Sequence, residues 1–251
     1  MNEEFALSYK DVVKEYVSSH LGRETRSRGV EGLSLDIRRG EVFGLLGLNG
    51  SGKTTTMKLA LGLIQITGGE VSVFGHRPGS IEALSRIGYL PELPYFYPYL
   101  TAKESLEFYG KLSGLSGGIL SERVPKVLEK VGLGPSSHRE AREFSKGMLQ
   151  RLGLAQAIVH EPQLVVLDEP VSGLDPLAVH DFRVLMKELN EEGQTLLLSS
   201  HSISNVESLC DRVGILVEGK LVKLVEQAEW KDQPGFLEKI FVATVRPEVK
   251  R

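Results

Sequence analysis

Cysteine is almost absent from this sequence: Cys210 is the one thiol among 251 residues. That excludes an internal disulfide and, with no Cys and His at ligand spacing, a structural zinc site. Set among Val206, Leu209 and Val213, Cys210 reads as a small buried apolar residue. A basic excess is also missing. Lys and Arg number 30 against 33 Asp and Glu, a net charge of −3, which argues against a nucleic-acid binder. Long apolar runs are lacking too. The densest, at 164–167 and 195–198, are strand-sized and far short of a bilayer span. The first eight residues are acidic without an apolar core, so no signal peptide is expected. A soluble, cytoplasmic chain is the expectation. With 41% hydrophobic and 25% charged residues, it can bury one large core, or one core plus an appendage.

What is present centres on Gly47-Leu48-Asn49-Gly50-Ser51-Gly52-Lys53-Thr54, which fits the phosphate-loop pattern G-x-x-x-x-G-K-[ST] at every fixed position. Its flanks give the pattern physical meaning. The apolar run at 41–46 reads as a buried strand, and residues 54–63 carry apolar side chains at helical spacing. Glycines let backbone N–H groups curl around an oxyanion, and the helix start adds its dipole. Lys53 then reaches the outer phosphates and the Thr54 hydroxyl ligates Mg²⁺. The chain is expected to bind a nucleoside triphosphate.

The rest alternates strands and helices. Residues 5–13, 33–37 and 71–74 read as strands, with turns at Gly40 and at Gly68-Gly69. The polar stretch from Tyr16 to Val30, with Arg23, Arg26 and Arg28, reads as an exposed loop. Thr101-Ala102-Lys103-Glu104 is a capping box opening a helix through Leu106, Tyr109 and Leu112. A second helix carries Val124, Val127, Leu128 and Val131 and stops at Gly132. Buried strands follow at 164–167 and 195–199, separated by a helix that Asp175-Pro176 opens and Gly193 closes. A hairpin at 213–225 and a small helix after Ala228 end the chain.

A phosphate loop alone leaves kinases, GTPases, helicases and transport ATPases open. The run at 164–167 ends in Asp168-Glu169, which puts Asp168 where it can hold Mg²⁺ and Glu169 where it can polarise a water. Upstream stands Phe144-Ser145-Lys146-Gly147-Met148-Leu149-Gln150-Arg151; downstream come Ser172-Gly173-Leu174-Asp175 and His201. No Asn-Lys-x-Asp motif is present, which counts against a GTPase. This order of motifs resembles the ATP-binding-cassette (ABC) ATPases from Tyr16 to Phe241.

The resemblance implies an α/β fold: a P-loop NTPase core with an N-terminal antiparallel β region and an inserted α-helical subdomain. On that basis residues 1–251 form a single domain. Residues 1–92 and 160–227 make the core with its β subdomain, 93–159 the helical subdomain, and 228–251 a short C-terminal helix and tail. It also implies roles. Tyr16 stacks on adenine; Gly47, Leu48, Asn49, Gly50, Ser51, Gly52, Lys53 and Thr54 cradle the phosphates, with Thr55 as an extra contact. Glu92 stands where the family usually has a glutamine touching Mg²⁺ and the attacking water. Ser145 and Gly147 match the signature loop that meets the γ-phosphate of ATP held by another copy. Asp168 serves the metal, Glu169 is the base, Asp175 bridges two copies and His201 contacts the γ-phosphate.

Structural competitors stand beside these roles. Tyr16 also suits a plain strand aromatic, Asp175 and Ser145 suit helix N-caps, and His201 suits a strand-end cap. Two departures from the family pattern matter: Lys146 replaces a glycine in the signature loop, and Glu92 replaces the glutamine. Lys53, Asp168, Glu169 and His201 are intact, so hydrolysis of ATP with Mg²⁺ is expected.

The same resemblance predicts a head-to-tail dimer with a second copy or a close relative. It also predicts an integral-membrane permease partner, with the chain peripheral on the inner face of the cell membrane. The aromatic run Tyr95-Phe96-Tyr97-Pro98-Tyr99-Leu100 lies where the family docks its membrane subunit; local core is the competing reading. The leading function is the ATPase subunit of an exporter-like transporter. The alternatives are a soluble ABC ATPase acting on nucleic acid or ribosomes, and a non-hydrolysing sensor.

Overall fold

The computed structural model describes residues 4–20 and 23–246, at 18–20 and 23–26 through the backbone alone. The last part of the expected tail, 247–251, lies outside the described residues. The chain forms two compact units, residues 1–84 with 197–251, and residues 85–196.

The first unit opens with β1 (Phe5–His20) and β2 (Arg23–Arg38), then β3 (Val42–Leu46), α1 (Lys53–Ala60), β4 (Gly68–Val73) and α2 (Ile81–Leu84). In its antiparallel sheet β1 lies between β2 and β4. One face buries Leu7, Tyr9, Leu33 and Ile37, and the Tyr9 hydroxyl donates to the Thr56 carbonyl of α1 at 2.8 Å. That bond ties the sheet to the helix after the phosphate loop.

The second unit holds β5 (Ile87–Leu90), α3 (Ala102–Leu112), α4 (Gly117–Lys130), α5 (Lys146–Ile158), β6 (Leu164–Leu167) and α6 (Pro176–Glu191). β5 and β6 pair in parallel, Leu90 facing Leu167. Both strands are almost wholly buried, as their apolar runs require for a sheet covered by helices. α5 presses onto β5 at glycines: a Cβ on Gly88 would strike the Ala157 carbonyl. Thr101 and Glu104 form the expected capping box on α3.

β7 (Thr195–Ser200) carries the chain back to the first unit. There α7 (Ile203–Leu209), β8 (Arg212–Val217), β9 (Lys220–Glu226), α8 (Gln227–Trp230) and α9 (Phe236–Val245) complete the order. β8 pairs in parallel with β3 and antiparallel with β9. A buried ion pair, Arg212 to Glu41 at 2.6 Å, braces the start of β3. Cys210 is buried as expected, and burial pushes its thiol well above the usual range.

The structure corrects several sequence expectations. The stretch from Tyr16 to Val30 is no loop: β1 runs on to His20, and Tyr16 faces Ser27 in β2. The antiparallel register continues through Ser18↔Thr25 and Ser19↔Glu24 to His20↔Arg23, so the described backbone there is paired strand. Gly68-Gly69 lies inside β4, because Gly69 at φ 82° lets the strand approach the Lys10 and Asp11 carbonyls. Leu112, the last residue of α3, is exposed and does not share the buried face of Leu106. α7 and β5 are elements with too few residues to announce themselves by periodicity.

Candidate functional site

The sequence-predicted residues fall into two groups. Tyr16, the loop from Gly47 to Thr54, Thr55 and His201 belong to the first unit; Glu92, Ser145, Gly147, Asp168, Glu169 and Asp175 belong to the second.

In the first unit the loop connects the fully buried β3 to α1. Ser51 N–H donates to the Leu48 carbonyl at 3.1 Å and Thr56 N–H to Gly52 at 2.9 Å. Gly50 and Gly52 take φ of 81° and 106°, a region open to glycine and costly to other residues. Gly47 and Gly52 are demanded by space as well. A Cβ on Gly47 would meet the Ser51 hydroxyl and come 2.7 Å from the Leu216 carbonyl; one on Gly52 would come 2.6 Å from the Gly29 carbonyl. Lys53 is buried and donates from Nζ to the Gly47 and Leu48 carbonyls at 2.8 and 3.2 Å, so its ammonium is folded over the loop.

A phosphate chain fits this cradle. α1 starts at Gly52 with no side-chain cap and no acid in its first turn, which leaves its end dipole and amides suited to an anion. The Ser51 hydroxyl is buried without a hydrogen-bond partner among the described residues, an arrangement that costs stability unless something else satisfies it. Tyr16 is 39% exposed, and its hydroxyl lies 3.3 Å from Thr55 Oγ1. It thus reaches the first turn of the same helix. His201 is exposed immediately after β7.

In the second unit Asp168 is buried at the end of β6, and its N–H donates to the Leu90 carbonyl at 2.9 Å. Burial, with the Asp168 charge nearby, pushes the Tyr89 phenol up to about 12. Glu169 is half-buried and takes φ 48° directly before Pro170, a strained conformation of the kind that collects at working sites. Glu92 is exposed just beyond β5, the strand parallel to β6. Glu92 and Asp168 therefore leave neighbouring strands at the same end. Glu92 and Asp168 in this unit, like Thr54 in the other, each carry the hard oxygen that Mg²⁺ prefers; among the described residues no group of three or more His, Cys, Asp or Glu is placed to hold a metal.

Ser145 caps α5, accepting from Met148 N–H at 3.3 Å, and Asp175 caps α6, accepting from Ala178 N–H at 3.0 Å. The two caps are close, since a Cβ on Gly147 would lie 3.7 Å from Ala178 Cβ. The Lys146 ammonium rests against Gly173, in the turn leading to Asp175. The aromatic run divides: Phe96 is buried against Tyr109, while Tyr95, Tyr97 and Tyr99 are exposed, Tyr97 edge-on to Phe108. The local-core reading holds for Phe96.

Sequence reasoning missed one support of the loop. Gly219, in the β8–β9 turn, donates its N–H to the Ser51 carbonyl at 2.9 Å. No local signal announces a contact across that much chain. Among the described residues, no helix is long and apolar enough to cross a membrane.

Comparison with known proteins agrees with this geometry. The ABC transporter family model matches residues 30–172, more than half of the chain. An uncharacterised ABC transporter ATP-binding protein of Nostoc is 45% identical over 195 residues, 77% of this chain and 58% of that relative. The bacitracin transport ATP-binding protein BcrA of Enterococcus faecalis is 38% identical over 229 residues, covering 90% and 71%. A solved ATP-binding subunit of an ABC transporter superposes with a TM-score of 0.79 at 31% identity, over 95% of this chain and 99% of that one. Against several curated relatives the chain spans only part of their length, 54% to 61%.

Proposed function

This chain belongs to the ABC transporter family, and from that premise we propose that it binds and hydrolyses ATP to energise a separate membrane permease, in the direction of export. The observation that carries this reading is the loop from Gly47 to Thr54. Its Gly47 and Gly52 leave no room for side chains, its helix end is uncapped, and its buried Ser51 hydroxyl has no partner among the described residues.

The residue roles are those that the family resemblance implies. Tyr16 offers a stacking face for adenine, Lys53 neutralises the outer phosphates, and His201 donates to the terminal one. Mg²⁺, held by Thr54 and Asp168 with Glu92 beside it, would neutralise charge on the phosphate oxygens. Glu169 orients a water and takes its proton. Ser145, Gly147 and Asp175 lie together as two helix caps and serve the site of a second copy, or of a close relative, arranged head to tail. The core at 1–92 and 160–227, the helical part at 93–159 and the tail at 228–251 are the divisions on which this scheme is built. The permease would hold the chain at the inner membrane face through the exposed tyrosines at 95, 97 and 99.

Replacing Glu169 by Gln tests the scheme. Turnover should collapse by about a thousandfold, the scale of losing a general base together with its positioned water. ATP-dependent dimers should meanwhile accumulate on size-exclusion chromatography. Unchanged turnover would remove Glu169 from its role.

A further inference from the structure

We propose that Gly29 is a positioning residue that sets the base platform at Tyr16 in register with the phosphate loop; the inference rests on the nucleotide reading above. In the β1–β2 ladder Glu15 faces Arg28 and Lys14 faces Val30, so Gly29 is the extra residue of a β-bulge. Bulges re-aim the side chains around them and recur beside active sites. Gly29 is buried and its φ is not left-handed, so backbone conformation alone admits other residues. Space is what resists. A Cβ here would fall 2.7 Å from Cε2 of Tyr16 and 2.9 Å from Cγ2 of Thr55. The ring therefore lies down across the bulge, where its hydroxyl reaches Thr55 at 3.3 Å.

The Gly29 carbonyl faces the loop. A Cβ on Gly52 would come 2.6 Å from that oxygen, and one on Gly219 would come 3.2 Å from it. Gly219 in turn donates to the Ser51 carbonyl at 2.9 Å and accepts from Glu31 N–H at 2.8 Å. One peptide thus stands between the aromatic and the cradle. The three nearest atoms that a side chain on it would meet are side-chain atoms, of Tyr16 and of Thr55, so the ring and the Thr55 methyl give way before the loop backbone does.

Calorimetric titration tests this with Gly29→Ala, Tyr16→Ala and the double variant, each against ATP and against inorganic triphosphate in Mg²⁺ buffer. Gly29→Ala should weaken ATP binding about tenfold, the scale of a lost base–aromatic stack. It should leave inorganic triphosphate within about twofold of wild type. In the Tyr16→Ala background the same change should cost less than about twofold, since the ring is already gone. A full further loss in the double variant, or an equal loss of inorganic triphosphate, would overturn the proposal and make Gly29 a support of the loop itself. Should Gly29→Ala fail to fold, the double variant decides. There the nearest obstruction, the ring, is absent and only the Thr55 side chain has to turn aside, so a folded protein with the triphosphate affinity of Tyr16→Ala supports the proposal, and an unfolded one overturns it. A wild-type chain that binds neither ligand overturns the nucleotide reading; one that binds triphosphate as tightly as ATP overturns only the coupling.

Discussion

The phosphate loop and the serine-bearing turn both contain glycines, yet the two regions use them differently. In the loop, a Cβ on Gly47 or Gly52 would collide with atoms of the chain itself. In the turn, a Cβ on Gly147 would meet Ala178 at 3.7 Å and Ser145 at 4.0 Å, ordinary contact distances. The first glycines are explained by the fold around them. Gly147 is not, and its bareness makes sense if something outside the chain approaches. On the proposed arrangement, the glycines of the first region answer to this chain's own atoms and Gly147 to those of a second copy. That is the physical content of the head-to-tail arrangement proposed above.

Five variants can break or sharpen this contrast. Lys53→Ala strikes the phosphate loop and should have the largest effect, about a thousandfold in turnover, with ATP binding lost in direct titration. Next is the paired comparison. Gly47→Ala overpacks the loop by about 1–3 kcal/mol, which should lower the melting temperature by about 2–10 °C for a chain of this size. Gly147→Ala should leave melting within about 1 °C while lowering turnover about tenfold, because the missing space is needed by a second molecule. A melting loss at Gly147 equal to that at Gly47 would dissolve the contrast. Replacing Tyr95 and Tyr99 by Asp, both exposed, should leave ATP affinity within about twofold and abolish co-purification with the permease. Smallest is Thr101→Ala, which removes a cap worth about 1 kcal/mol. It should lower melting by about 2–4 °C and leave turnover of the folded protein unchanged.

Much of this was readable beforehand, for physical reasons that differ by element. The capping box at Thr101 is local chemistry and survives folding intact. β6 is an uninterrupted apolar run because both its faces are covered. The phosphate loop is legible because its glycines answer to backbone geometry. Legibility ended where distant residues decide the outcome. The ribbon at 16–30 looks like a loop because its arginines and serines carry no apolar alternation; only its pairing partner makes it a strand. The role of Gly219 against Ser51 depends on a contact across the fold. The resting place of Lys146 against Gly173 likewise has no signature in either segment. Asp175 and Ser145 are the intermediate case: their caps were foreseeable, and the closeness of those caps was not.

Glu169 keeps its left-handed backbone at φ 48° with a proline behind it. Glycine or asparagine would sit there more comfortably. A directed-evolution campaign selecting on heat resistance alone would therefore be drawn to this position and would return robust proteins stripped of their proposed base. Screens on this scaffold need to score phosphate release alongside survival.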